Sequence, residues 1–74
     1  MNTSTTYPCD ITIVVPLFNE DESIPELYAW IKRVMLEHNF SYEVLFVDDG
    51  STDQSWSIIQ KLSQEEEAVH GIKF

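Results

Sequence analysis

Ile11-Thr12-Ile13-Val14-Val15-Pro16-Leu17-Phe18-Asn19-Glu20 is the stretch on which the fold turns. From Ile11 to Val15 every residue is β-branched, and only Thr12 is polar. A short, nearly unbroken apolar run of this kind reads as a strand buried in a parallel sheet rather than as one half of an exposed hairpin. Pro16 has no N–H to give to a ladder, so the strand is expected to end there. Leu17-Phe18-Asn19-Glu20 then forms a short loop. A second run, Tyr42-Glu43-Val44-Leu45-Phe46-Val47, repeats the pattern and gives way to Asp48-Asp49-Gly50-Ser51, a turn in which Gly50 suits a positive φ.

Between these strands Ile24, Leu27, Tyr28, Ile31, Val34 and Met35 recur at helical spacing and form one apolar stripe. Ser23 and Glu26 have the spacing of a capping box, and Pro25 is tolerated in a first turn; a start near Asp21 fits as well. Glu20, Asp21, Glu22 and Glu26 crowd the helix start and Lys32-Arg33 come later, an order that suits the helix dipole. Asn39 is the expected stop. Thr52 or Asp53 can cap a second helix whose face carries Trp56, Ile59 and Leu62, with Ile58 beside them. Glu65-Glu66-Glu67 reads as a solvated acidic end, prone to fray. Gly71 breaks the chain, and Ile72-Lys73-Phe74 begins a third strand.

The order is therefore β-α-β-α-β, the start of an open parallel sheet with right-handed crossovers. Three strands and two helices leave a sheet edge unpaired, where self-association is expected. Residues 1–10 read as a polar leader and 11–74 as the N-terminal part of a larger α/β domain.

Composition narrows the function. The chain has 74 residues and a net charge of −9, from 4 Lys and Arg against 13 Asp and Glu. So few basic residues argue against a nucleic-acid partner, and the negative charge against an anionic membrane surface. Apolar residues make up 43%, enough for one small core. The single cysteine, Cys9, excludes an internal disulfide and a cysteine-based zinc site, and reads as an unreactive thiol. His38 and His70 are far apart and read as surface residues. Trp56 reads as a core anchor, whereas Trp30 falls off the apolar stripe. Met1–Thr6 has neither the basic nor the apolar part of a signal peptide, and no run reaches the roughly 18–20 apolar residues of a membrane span. The expected compartment is the cytoplasm. Glycine occurs only at 50 and 71, so both a dinucleotide fingerprint and a P-loop are missing, as is a nucleophile elbow.

In open parallel sheets, ligands bind beyond the C-terminal ends of the strands. The loops at 16–20 and 48–51 both lie there, and they hold the chain's unusual polar residues. A carboxylate of Asp48 or Asp49 can accept a hydrogen bond from the ring N–H of a nucleobase, or bind a hard cation. The same residues also make an ordinary turn and helix cap. Glu20 can meet a ribose or base, or serve as a first-turn acid; Phe18 can stack on a base or belong to the core. A diphosphate bound here needs positive charge. The four basic residues are poorly placed to supply it, which leaves a divalent metal held by ligands outside the chain.

Taken together, Ile13-Val14-Val15-Pro16-Leu17-Phe18-Asn19-Glu20-Asp21-Glu22 and Val44-Leu45-Phe46-Val47-Asp48-Asp49-Gly50-Ser51-Thr52-Asp53 resemble the start of glycosyltransferase family 2, of GT-A fold. Within it, the likeness is to the polyprenyl-phosphate sugar transferases, the dolichyl-phosphate mannosyltransferase and bactoprenol glucosyltransferase kind. The resemblance spans residues 10–74. It implies transfer of a sugar from a nucleotide-diphosphate donor to an acceptor, a lipid phosphate or a saccharide, by a membrane-associated parent protein on the cytoplasmic face. It implies that Pro16, Leu17, Phe18, Asn19 and Glu20, with Val47, Asp48, Asp49 and Ser51, belong to the nucleotide pocket. In that pocket Asp49 contacts the base and Asp48 supports it. The family's Asp-x-Asp motif, which holds Mg²⁺ or Mn²⁺, would follow Phe74. No catalytic and no metal-binding residue is therefore expected in this chain, and none of the transfer activity in the chain alone. Two other readings stand beside this one. A signalling receiver domain would need its acidic cluster after the first strand, where Pro16-Leu17-Phe18-Asn19-Glu20 stands instead. A non-catalytic α/β interaction module would lack nucleotide affinity.

Overall fold

Strand β1 runs over Ile11–Leu17, helix α1 over Ile24–Glu37, strand β2 over Tyr42–Asp48, helix α2 over Ser55–Glu65 and strand β3 over Val69–Lys73. The computed structural model describes residues 9–74, so the polar leader lies, but for Cys9 and Asp10, outside the described residues. The expected order β-α-β-α-β is the observed one, and the three strands form one parallel sheet in the order β1-β2-β3. Ile13 stands opposite Val44, and Val44 opposite Val69. Partners in register share a face, so the sheet has two unlike sides. On one, Leu17, Val44, Phe46 and Val69 meet Ile24, Tyr28 and Ile31 of α1 and Ile59 of α2 in a single core. Val14 and Ile72, which point the other way, are exposed. Both helices thus cover the same face of the sheet.

Several boundaries differ from the sequence reading. Pro16 does not end β1 but pairs with Val47 inside it. An edge strand tolerates proline because half of its N–H groups have no strand to bond, and β1 is an edge. Asp48 is the last residue of β2 rather than the first of the turn. Gly71 lies within β3 instead of breaking the chain before it. A Cβ at Gly71 would come within 2.5 Å of Ile59 Cγ2 and 3.2 Å of the Trp56 ring, so α2 sits directly on the glycine.

The helix ends also differ in detail. Ser23 makes no side-chain cap bond, so the capping box does not form. Its backbone is already helical, and its N–H and that of Ile24 both donate to Glu20 O in the turn ahead of α1. Lys32 and Arg33 stop short of the last turn of α1. That helix ends where expected: Asn39 has φ 57°, its N–H donates to Leu36 O, and the Phe40 N–H donates to Met35 O. This is a Schellman closure with asparagine in the left-handed position. At the far end of α2, Glu66 is anchored rather than free, because its carboxylate accepts hydrogen bonds from Tyr28 Oη and Lys32 Nζ, both at 3.0 Å.

Candidate functional site

Two loops leave the C-terminal edge of the sheet side by side, because β1 and β2 are adjacent and parallel. The ladder continues past the strands, with the Asp49 N–H donating to Leu17 O at 3.0 Å. The loops are joined mainly by side chains. Asn19, at φ 51°, donates its N–H to Ser51 Oγ at 2.9 Å. Asn19 Oδ1 in return accepts the N–H groups of Thr52 at 2.8 Å and Asp53 at 3.3 Å. The Glu20 N–H donates to the buried Ser55 Oγ at 3.0 Å. Asp21 and Asp53 are cross-linked: the Asp21 N–H donates to Asp53 Oδ2, and the Gln54 N–H to Asp21 Oδ2.

The residues expected at a ligand are placed in five different ways. Pro16, Leu17, Phe18 and Glu20 line a concavity of about 400 Å³ together with Ile24 and Leu27. Phe18 is 55% exposed there, so it is a rim residue and not part of the core. Asp49 is exposed. Asn19 and Ser51 spend hydrogen-bonding groups on each other's loop. Asp48 is fully buried; its Oδ1 accepts the Ser51 N–H at 2.8 Å, whereas Oδ2 has no partner. Asp48 therefore shapes the turn that presents Asp49. Val47 is half-buried on the sheet face opposite the helices.

The second helix is capped one residue after Asp53 and two after Thr52, the two caps expected. Its N-cap position is Gln54 and makes no side-chain bond, but Asp53 Oδ1 still accepts the Ser55 N–H at 2.8 Å. Burial alone would raise the Asp53 pKa, yet the hydrogen bonds from Ser55 and from the Asp21 backbone outweigh it and hold the carboxyl below its ordinary value. The Cys9 thiol is pushed up by burial and by the nearby Glu43 and Asp10 carboxylates, which favours the inert thiol form.

In the sequence, Thr52 and Asp53 read only as caps, and nothing marks Ser55 as joining the loops. The dense run Ser51-Thr52-Asp53-Gln54-Ser55 was the available signal. It cannot show which of those groups reach across to another loop.

The residues do not fit a metal ion. Among the described residues no three His, Cys, Asp or Glu side chains come together. The one unpartnered buried side-chain oxygen among the described residues, Asp48 Oδ2, falls far short of the six or so oxygens a hard cation collects. A metal at the diphosphate of a bound donor would need ligands from outside these residues. A further concavity of about 500 Å³ runs along α1 beside Lys32, Arg33 and Leu36, and no loop of the sheet edge contributes to it.

The glycosyl transferase family 2 model matches residues 12–74, which takes in both loops and, but for Ile11, every strand and helix described above. The chain belongs to glycosyltransferase family 2. It is 37% identical over 59 residues to the undecaprenyl-phosphate 4-deoxy-4-formamido-L-arabinose transferase of Pseudomonas aeruginosa, a match covering 78% of the chain and 17% of that relative. It is 36% identical over 64 residues to the prophage bactoprenol glucosyl transferase homolog of Escherichia coli, covering 86% of the chain and 21% of that protein. The chain thus spans about a fifth of the length of these curated relatives. The three-stranded parallel sheet is consistent with the start of the family's GT-A fold. Family membership sets aside the receiver-domain reading.

Proposed function

We propose that this chain is the nucleotide-binding part of a glycosyltransferase that moves a sugar from a nucleotide-diphosphate donor to a polyprenyl phosphate. The observation that carries this reading is the joining of the 16–20 and 48–51 loops at the C-terminal sheet edge, within the segment that matches the family. The names of the relatives, an undecaprenyl-phosphate transferase and a bactoprenol glucosyl transferase, support a polyprenyl phosphate as acceptor over a saccharide. In the reaction, an acceptor phosphate oxygen bonds to the anomeric carbon, and the bond from that carbon to the diphosphate breaks. The nucleoside diphosphate leaves with the electron pair.

Within this chain, the exposed Asp49 carboxylate accepts the ring N–H of the base, and Asp48 holds the turn beneath it. Pro16, Leu17, Phe18 and Glu20 form the wall toward base and ribose. Asn19, Val47 and Ser51 complete the pocket's frame. Among the described residues no cluster of side chains could hold a metal ion, and in this reading the metal ligands and the acceptor site come from beyond these residues. No helix among the described residues is long and apolar enough to cross a membrane. The whole protein works at the cytoplasmic face, where a polyprenyl phosphate presents its headgroup.

The test is an amide NMR titration with UDP and then GDP, each with Mg²⁺, on the wild-type chain and on Asp49→Ala. Shifts confined to residues 16–20 and 48–51, lost in Asp49→Ala while the rest of its spectrum is unchanged, are the expected result. The better ligand names the donor base. Equal nucleotide response in Asp49→Ala would overturn the base contact, and no response in a well-dispersed wild-type spectrum would favour a non-catalytic module.

A further inference from the structure

The two loops of the candidate site are not independent segments, and one residue does most of the joining. Asn19 carries a left-handed backbone, and its two polar functions run in opposite directions to the other loop. Its N–H donates to Ser51 Oγ at 2.9 Å, and its Oδ1 accepts from the Thr52 N–H at 2.8 Å and the Asp53 N–H at 3.3 Å. Only asparagine, aspartate and glycine enter that backbone region readily, and of these glycine has no acceptor. The accepted N–H groups lie in the turn just ahead of α2 and have no intrahelical partner. Asn19 therefore satisfies backbone donors of the second loop from a strand end on the first.

We infer that Asn19 is a positioning residue, a latch that makes the 16–20 and 48–53 loops one body and so fixes Glu20 relative to Asp49 before any ligand arrives. This rests on the nucleotide-binding reading above only for what the latch serves. Its existence is a property of the chain alone. A loop held in this way loses less freedom when a ligand binds, so the latch contributes to affinity without touching the ligand. Two further links, Glu20 N–H to Ser55 Oγ and the Asp21–Asp53 cross-link, extend the same seam into the starts of both helices. They hold the neighbouring residues in place, but neither supplies an acceptor to Thr52.

Three variants of the full chain separate backbone from acceptor. Asn19→Gly keeps the left-handed conformation and removes Oδ1. Asn19→Asp keeps both. Asn19→Ala loses both. Amide hydrogen exchange at Thr52 and Asp53 reads the latch directly, with the urea midpoint as a check on folding. In Asn19→Gly, exchange at those two amides is expected to quicken by about tenfold, the effect of losing one hydrogen bond, with core amides of β2 unchanged. Asn19→Asp is expected to restore the wild-type rates at moderate salt. Wild-type protection in Asn19→Gly would overturn the latch.

The same variants, titrated with UDP and GDP, read what the latch serves. The nucleotide that shifts the wild type is expected to bind Asn19→Gly several-fold more weakly and to recover in Asn19→Asp. Equal affinity in Asn19→Gly, with its two amides deprotected, would overturn the link to the site. If neither nucleotide shifts the wild type, the binding reading fails, and the exchange rates alone still decide the latch.

Discussion

Gly71 shows how a single position ties a helix to a strand. Trp56 and Ile59 of α2 close over its Cα, and a methyl group there would meet Ile59 Cγ2 at 2.5 Å. Ile59 is fully buried and cannot retreat into solvent. Gly71→Ala is therefore expected to destabilise the chain by about 1–3 kcal/mol, the usual range for overpacking, read as a lower urea midpoint at an unchanged slope. Gly50 is glycine for a different reason: φ is 81° and nothing crowds it, so the backbone and not the packing selects the residue. Asn39 and Asn19 also take positive φ, but to different ends. Asn39 closes a helix with its backbone alone, whereas Asn19 adds a side-chain acceptor that reaches another loop. From the sequence the first was legible as a helix stop. The second was visible only as a polar residue at a strand end.

At the scale of elements, the end of α2 is tied to α1 at the sheet's other edge. Tyr28 Oη is shared between Tyr42 Oη at 3.1 Å and Glu66 Oε1 at 3.0 Å, and Lys32 Nζ meets the same Glu66 oxygen at 3.0 Å. The Tyr28 phenol is buried among these groups, which pushes its pKa up from the ordinary value: burial opposes the charge, and the bonds to Tyr42 and Glu66 hold the neutral form. The Glu66 carboxyl is drawn down from its ordinary 4.5, first by the hydrogen bond from Lys32 and then by that from Tyr28, against a smaller effect of burial. Asp53 is held down from 3.8 at the opposite end of α2.

A carboxyl whose pKa is lower in the folded chain stabilises the fold above its unfolded value. That contribution is lost as pH falls through the lower folded value. Acid is thus expected to destabilise the chain progressively below about pH 4.5, through both ends of α2. Circular dichroism at fixed urea across pH 2–6 measures the loss (the range runs roughly across both carboxyl values). In Glu66→Gln the part of the loss that falls below pH 4.5 is expected to shrink. An unchanged acid profile would show that Glu66 does not carry it.

At the scale of the whole molecule, the described residues form a sheet covered on one side. Both helices pack on the face that bears Val44, Phe46 and Val69, while Val14 is 56% and Ile72 43% exposed on the other. Parallel sheets in folded domains are ordinarily covered on both faces, and β1 and β3 both offer open edges. Thr12, Glu43 and His70 are the polar residues of the bare face: Thr12 Oγ1 donates to Glu43 Oε1 at 3.0 Å, and His70 Nε2 lies 3.8 Å from Glu43. They occupy the end of that face away from the candidate site. The net charge of −9 opposes close approach of two copies, and salt screens it. We expect the isolated chain to self-associate reversibly and more strongly at high salt, seen as a weight-average mass that rises with concentration in sedimentation equilibrium. Val14→Lys with Ile72→Lys is expected to restore the monomer; a monomeric wild type at all salt concentrations would exclude association through this face.

What the sequence determined by itself was the kind and order of its elements. Short apolar runs of five to six residues, a 3.6-residue stripe from Ile24 to Met35 and an asparagine at 39 that stops the helix are local properties, so each could be read without knowing its neighbours. The paired motifs around Asn19-Glu20 and Asp48-Asp49 pointed to the family for the same reason. Features that depend on a partner distant in sequence were settled by the folded arrangement. Pro16 continues a strand because β1 is an edge, and Gly71 sits inside one because α2 lies on it. Ser23 goes without its cap because the turn from Glu20 already bonds its N–H, and Glu66 is anchored because α1 brings Tyr28 and Lys32 to it. The joining of the two loops through Asn19, Ser51 and Ser55 belongs to this second group. A hydrogen bond between residues some thirty positions apart leaves no periodicity in the chain. It exists only once the parallel pairing of β1 and β2 has set their ends side by side.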